Sequence, residues 1–330
     1  MADAAATHRL PTVHRRPDLP AAVRIWEVAP RDGLQNEPST VPAFVKAQLV
    51  ARLVDAGLTT VETSSFVSPA WVPQLADAEE VFTLLAPLRS AWEEAHATTV
   101  RLPALVPNLL GLERAASSGV RDVCVFASAT ETFARKNLNR SRDEALDAFV
   151  PVVGEAKAGG MGVRAYVSMC FGDPWEGPVA EADVVSVCER LLGAGADQVS
   201  LGDTIGVATT GQVVDLLDAL ARAGVAARQL AVHFHDTYGQ ALANTLTALS
   251  CGVTTVDSSA GGIGGCPFAK SATGNLATED LCWALAGAGV ATGVDLDRLV
   301  ETSVWMAEHL GRPSPSKVVQ ALAEAQESKQ

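Results

Sequence analysis

The sequence predicts a single parallel α/β barrel of the TIM (β/α)8 type, and three observations lead there. Short apolar runs alternate with helix-period segments eight times between about Val23 and Gly293. No compositional break interrupts that alternation. The 330 residues, 48% hydrophobic and 19% charged, suffice for one barrel of about 250 residues with extensions. An open doubly wound sheet is the runner-up.

Val23–Ala29 is a short apolar-rich run ended by Pro30 and reads as a strand buried on both faces. A polar loop follows. From Pro42 to Ala56 the apolar positions Val45, Leu49 and Leu53 recur every four residues, with Val50 and Val54 beside them. Proline in the first turn and Gly57 as the stop make this a helix. Thr59–Thr63 is the second strand. The series continues as helix 74–87, strand 101–106, helix 108–118, strand 120–127, helix 142–159, strand 162–168 and helix 179–194. Strand 197–201, helix 210–223, strand 229–234, helix 239–251, strand 253–257 and helix 275–288 complete it. A further helix at 296–310 and a polar tail lie beyond. The expected organisation is a flexible leader at 1–22, a catalytic barrel at 23–293 and a C-terminal helical extension with tail at 294–330.

A net charge of -13 argues against nucleic acid as a partner, because phosphate backbones are bound through clustered lysine and arginine. No apolar run reaches the roughly 18 residues of a membrane span. Cys124, Cys170, Cys188, Cys251, Cys266 and Cys282 include no C-x-x-C pair, so a reducing compartment is expected, with Cys266 a free thiol. The leader carries Arg9, Arg15 and Arg16, but Pro11, Pro17 and Pro20 interrupt any amphipathic helix. It reads as a disordered leader of a cytoplasmic protein.

In a parallel barrel the chemistry gathers where strands end and βα loops begin. Arg31 and Asp32 follow strand one, and Glu62 ends strand two. Ser128 follows strand four, Ser168 and Cys170 follow strand five, and Asp203 follows strand six. His233 and His235 end strand seven, and Cys266 lies in the loop after strand eight. Two histidines two positions apart on an extended segment face the same way and can share a metal. A lone buried histidine is usually a satisfied core residue; the paired spacing argues against that here.

Three stretches carry a family resemblance: Glu27-Val-Ala-Pro-Arg-Asp-Gly-Leu-Gln-Asn-Glu37, Val232-His-Phe-His-Asp-Thr-Tyr-Gly-Gln-Ala-Leu-Ala-Asn-Thr245, and Ser259-Ala-Gly-Gly-Ile-Gly-Gly-Cys-Pro-Phe268. Together they resemble the hydroxymethylglutaryl-CoA lyase family of the DRE-TIM metallolyase superfamily. The last differs from that family's V-A-G-L-G-G-C-P-Y by carrying Phe268 for the tyrosine and by a shift in the residues ahead of Gly264.

The resemblance implies a divalent cation, Mg2+ or Mn2+, held by Asp32, His233, His235 and Asn275, the last at an expected helix start. Ligand type alone would equally admit zinc or iron. It also implies retro-Claisen cleavage of 3-hydroxy-3-methylglutaryl-CoA to acetoacetate and acetyl-CoA. Cys266 and Asp32 would take or relay protons, and Arg31 would stabilise the enolate on the thioester oxygen. Glu62 would orient Arg31, and His233 would return a proton. The glycines before Cys266 would let its loop act as a lid.

For the CoA tail the candidates are Arg135 and Lys136, with Arg140, in a local basic cluster; Lys270 is a further cation. Two other lyase-superfamily activities compete: cleavage of a longer 3-hydroxy-3-alkylglutaryl-CoA, and acyl-CoA condensation as in isopropylmalate synthases. The synthases typically continue H-x-H-N-D, where this chain has His233-Phe-His235-Asp-Thr237. A non-catalytic CoA-binding barrel is a further alternative. A homodimer is what the family implies.

Overall fold

The computed structural model describes residues 11–95, 99–266 and 269–327. Eight parallel strands form one sheet: β1 (Arg24–Glu27), β2 (Ser64–Ser65), β3 (Ala104–Leu105), β4 (Asp122–Ser128), β5 (Gly162–Ser168), β6 (Gln198–Asp203), β7 (Leu230–Phe234) and β8 (Thr255–Ser258). From β2 to β8 each strand pairs with its successor in the chain, and β8 pairs with β1 through Trp26 opposite Asp257. The ring closes ahead of β2. There Glu27 N–H donates to Thr60 O over 3.0 Å and Glu62 N–H donates to Glu27 O over 2.8 Å. The barrel expectation therefore holds, and the open sheet does not.

The helices around it are α1 (Ala43–Asp55), α2 (Ala78–Ala95), α3 (Leu109–Ser117), α4 (Glu131–Leu138), α5 (Arg142–Ala158), α6 (Glu181–Gly193), α7 (Thr210–Arg222), α8 (Ala241–Ser250), α9 (Thr278–Gly287), α10 (Leu296–Leu310) and α11 (Lys317–Glu327). Alternation along the strands divides the core in two. Val163, Ala165 and Val167 of β5, with Val199 and Leu201 of β6, join the large apolar cluster shared with the helices. A second cluster of Trp26, Val28, Leu105, Cys124 and Tyr166 is built from the alternate strand positions. Such packing makes the barrel interior a core and leaves its C-terminal rim for chemistry.

Several boundaries depart from the sequence expectation, each for a local reason. Strand two was expected at 59–63, but the ladder forms at Ser64–Ser65, with Thr60 and Val61 making only single bridges. The basic stretch after strand four is a helix, α4, closed by Asn139 in the left-handed conformation. Asn275 is not at a helix start; it bridges His235 antiparallel, and α9 begins three residues later. The tail is not merely polar, because α11 occupies most of it. Part of the expected leader lies along the barrel, with His14 and Arg16 N–H donating to Gly287 and Ala288 O. Among the described residues no helix is long and apolar enough to cross a membrane.

Candidate active site

The chain leaves β1 through a wide turn. The N–H groups of Arg31, Asp32 and Gly33 all donate to Val28 O, at 3.2, 2.8 and 3.1 Å. Pro30 fits there because the first turn leaves its missing N–H without a required partner. Local π-type geometry of this kind is frequent at functional sites, and here it presents Arg31 and Asp32 side by side.

Arg31 is 6% exposed and doubly anchored: Nε donates to Glu62 Oε1 at 2.6 Å and Nη1 to Asp32 Oδ1 at 2.7 Å. The other Glu62 oxygen accepts from Trp26 Nε1 at 2.9 Å and from the Tyr166 hydroxyl. Burial opposes the charge on Arg31, but Glu62 and Asp32 overcome it and hold the guanidinium more basic than usual. Burial likewise opposes ionisation of Asp32. The Arg31 charge, aided by the two histidines and the Asn275 bond, holds its carboxyl well below the usual range.

Asp32, His233 and His235 form the one cluster of potential metal ligands among the described residues, with ligand atoms within 4.8 Å of one another. His235 Nδ1 is buried with no hydrogen-bond partner, and burial together with neighbouring His233 pushes that ring down to about 4. His235 is thus a neutral imidazole with a lone pair to offer. Asn275 completes the ring of donors: Nδ2 donates to Asp32 Oδ2 at 2.9 Å and to Ile263 O at 3.2 Å, which leaves its amide oxygen for another partner. Gly264 makes the close approach possible. Its φ is +134°, and a Cβ there would sit 2.6 Å from Asn275 Nδ2.

The base of the glycine loop is pinned from beneath by two buried carboxylates. Glu27 accepts from Ala29 N–H at 2.8 Å, Ala260 N–H at 2.9 Å and Thr278 Oγ1 at 2.7 Å, tying the β1 and β8 loops together. Glu279 accepts from Gly261 N–H and from Ser303 of α10, and Ser314 donates to Gly261 O at 2.7 Å. The C-terminal extension therefore packs against the rim that carries Asp32 and the two histidines. Cys266 lies in a short antiparallel ribbon with residues 269–273, but its side chain and that of Lys270 lie outside the described residues, as do Pro267 and Phe268.

Arg31, Asp32, His233, His235 and Gly265 line a cleft of about 730 Å³. Asn137, Asn139, Arg140 and Ser168 line it too. Arg135 and Lys136 do not: Arg135 pairs with Glu131 at 2.6 Å and Lys136 sits over the Trp175 ring. Three other rim residues have local tasks. Ser128 Oγ accepts from Thr130 N–H, the Cys170 thiol donates to Val167 O, and Asp203 accepts from Val207 and Ala208 N–H while burial pushes it up to about 6.

Sequence reasoning missed Trp26, Arg164, Tyr166, Ser200 and Asp257. Arg164 and Tyr166 stand two apart on β5, and Asp257 lies mid-strand on β8. Polar and charged residues inside apolar strands were the available signal, since an ion is not buried there without a partner.

The family model described as HMGL-like matches residues 22–305. The chain is 50% identical over 304 residues to the mitochondrial hydroxymethylglutaryl-CoA lyase of Arabidopsis thaliana, covering 92% of this chain and 63% of that protein. It is 48% identical over 303 residues to the corresponding mitochondrial protein of Bos taurus, covering 92% and 90%. The crystal structure of hydroxymethylglutaryl-CoA lyase from Pseudomonas aeruginosa superposes with a TM-score of 0.88 at 44% identity, over 93% of this chain and 99% of that one.

Proposed function

The chain belongs to the HMGL-like family, and from that premise we propose that it is a metal-dependent carbon–carbon lyase acting on 3-hydroxy-3-methylglutaryl-CoA. The products are acetoacetate and acetyl-CoA. One observation carries the reading: a carboxylate and two imidazoles from different strand ends converge within 4.8 Å on the wall of the cleft. The partnerless Nδ1 of buried His235 fits a cation better than it fits a packed core.

A divalent ion, Mg2+ or Mn2+, held by Asp32, His233, His235 and the Asn275 amide oxygen would act as a Lewis acid that eases ionisation of the tertiary hydroxyl. The rest is done by the chain. The hydroxyl proton leaves to the Cys266 thiolate or its relay. The bond between C2 and C3 breaks, C3 becomes the ketone of acetoacetate, and the electron pair passes to C2 as the thioester enolate. Arg31 stabilises the enolate oxygen through donors not engaged by Glu62 and Asp32. His233, with Nδ1 beside Asp257 Oδ2, is assigned ligation, and the proton that C2 takes up returns from the Cys266 thiol or its relay. Asp32, held ionised by Arg31, is assigned ligation instead of proton storage.

The CoA tail runs past Asn137, Asn139 and Arg140 on the cleft wall, with Arg135 and Lys136 adding positive potential from outside it. A homodimer belongs to the same proposal and is checked by light scattering. The deciding experiment is a coupled assay for acetoacetate release from hydroxymethylglutaryl-CoA, with and without chelator, on wild type and His235→Ala. Chelation and the substitution should each abolish release; wild-type protein that releases none removes the proposal.

A further inference from the structure

Asp257 lies 2% exposed on β8, directly across the ladder from His233. Its Oδ2 is 3.2 Å from His233 Nδ1 and accepts from Ser200 Oγ at 3.0 Å and Arg164 Nη1 at 3.2 Å, while Oδ1 accepts from Arg164 Nη2. Arginine can only donate, so both oxygens of Asp257 are acceptors. The His233 Nδ1 that meets them must then carry the hydrogen. In the neutral ring that choice leaves the lone pair on Nε2, which lies 4.0 Å from Asp32 Oδ2. Such a separation is too long for a hydrogen bond and suits two ligands of one ion, since donors each about 2.1 Å from it can lie roughly 4 Å apart.

We propose that Asp257 is a positioning residue that fixes the tautomer and rotation of His233, with Arg164 as its buried counter-ion, so that Nε2 faces the cation. Carboxylate–histidine pairs behind a metal raise the basicity of the ligand and orient its ring. Arg164 is locked in turn. It stacks 4.1 Å from the Trp26 centroid and donates to the Tyr166 hydroxyl at 3.1 Å, the same hydroxyl that donates to Glu62. One buried network therefore reaches from the metal-ligand histidine to the carboxylate that orients Arg31. The inference rests on the proposed ligand role of His233, but the tautomer can be read without any metal.

The test is Asp257→Asn. The amide is nearly isosteric, and Arg164 requires its oxygen, so an amide N–H is turned toward His233 Nδ1 and the ring must carry its hydrogen on Nε2. In metal-free protein labelled with 15N-histidine, at a pH high enough that the ring is neutral, long-range proton–nitrogen spectra should show His233 as the Nδ1–H tautomer in wild type and as Nε2–H in the variant. Mn2+ affinity, followed by electron paramagnetic resonance, should fall about 10- to 100-fold. Wild type with hydrogen on Nε2, or a variant that keeps wild-type Mn2+ affinity, overturns the inference. Should the variant fail to fold, the wild-type spectrum alone decides. Wild type that shows the expected tautomer yet binds no Mn2+ overturns the metal reading and leaves the Asp257–His233 relationship standing.

Discussion

Asn275 donates its amide N–H to Asp32 Oδ2 over 2.9 Å, joining residues 243 positions apart in the chain. That bond fixes the amide so that its oxygen, not its nitrogen, is available beside His235. Asn275→Ala should lower Mn2+ affinity by about 10-fold or more. Titration by electron paramagnetic resonance measures it, and wild-type affinity in the variant removes Asn275 from the ligand set.

Arg31 holds Glu62 and Asp32 with separate nitrogens, a geometry that lysine cannot reproduce. Arg31→Lys should therefore lower kcat by about 10²- to 10³-fold, with a much smaller change in KM. Steady-state kinetics decide, and a kcat near wild type would show that the enolate is stabilised elsewhere.

Cys266→Ala should leave Mn2+ affinity near that of wild type and collapse turnover, because the proposed thiol acts on protons and not on the cation. The pair of measurements separates chemistry from metal binding. Retention of most of kcat takes the cysteine out of the mechanism.

Arg140 lines the cleft, whereas Arg135 is exposed and paired with Glu131. Arg140→Ala should raise KM for the acyl-CoA several-fold with little effect on kcat, since tail contacts are uniform between ground and transition states. Arg135→Ala should do less. Equal effects of the two substitutions would place the tail outside the described cleft.

Burial, only partly offset by hydrogen bonds, pushes Glu27 up to about 7 and Glu279 up to about 8. Both folded-state values exceed the unfolded one, so the folded state holds more protons across the interval. The stability they contribute is full below about 4.5 and is lost as pH rises toward 8. Melting temperatures at pH 5 and pH 8.5 should fall more for wild type than for Glu279→Gln, which keeps acceptor and size without the charge. Parallel falls would show that Glu279 is ionised in the fold throughout.

The chemistry at the strand ends was legible because each motif is local. His233 and His235 share a face by strand period, and Arg31 and Asp32 follow a proline that ends a strand. Helix α5 was also readable to within a residue, since Ser141 and Glu144 cap it reciprocally from adjacent sequence. Strand two was less legible. Its residues pair through isolated contacts with Glu27 and Arg101, which no local preference specifies.

What the sequence alone determined is the alternation of strands and helices and the placing of His233 and His235 on one face, because both depend on period; Asp32 and Asn275 joined the two histidines through the resemblance of their motifs to the family's. Only the tertiary structure decided that Asn275 meets Asp32, that Asp257 and Arg164 stand behind His233, and that Arg140 faces the cleft while Arg135 does not. Those relations depend on ladder register and helix rotation. Both are set by burying apolar faces across the whole barrel, which no short stretch of chain can specify.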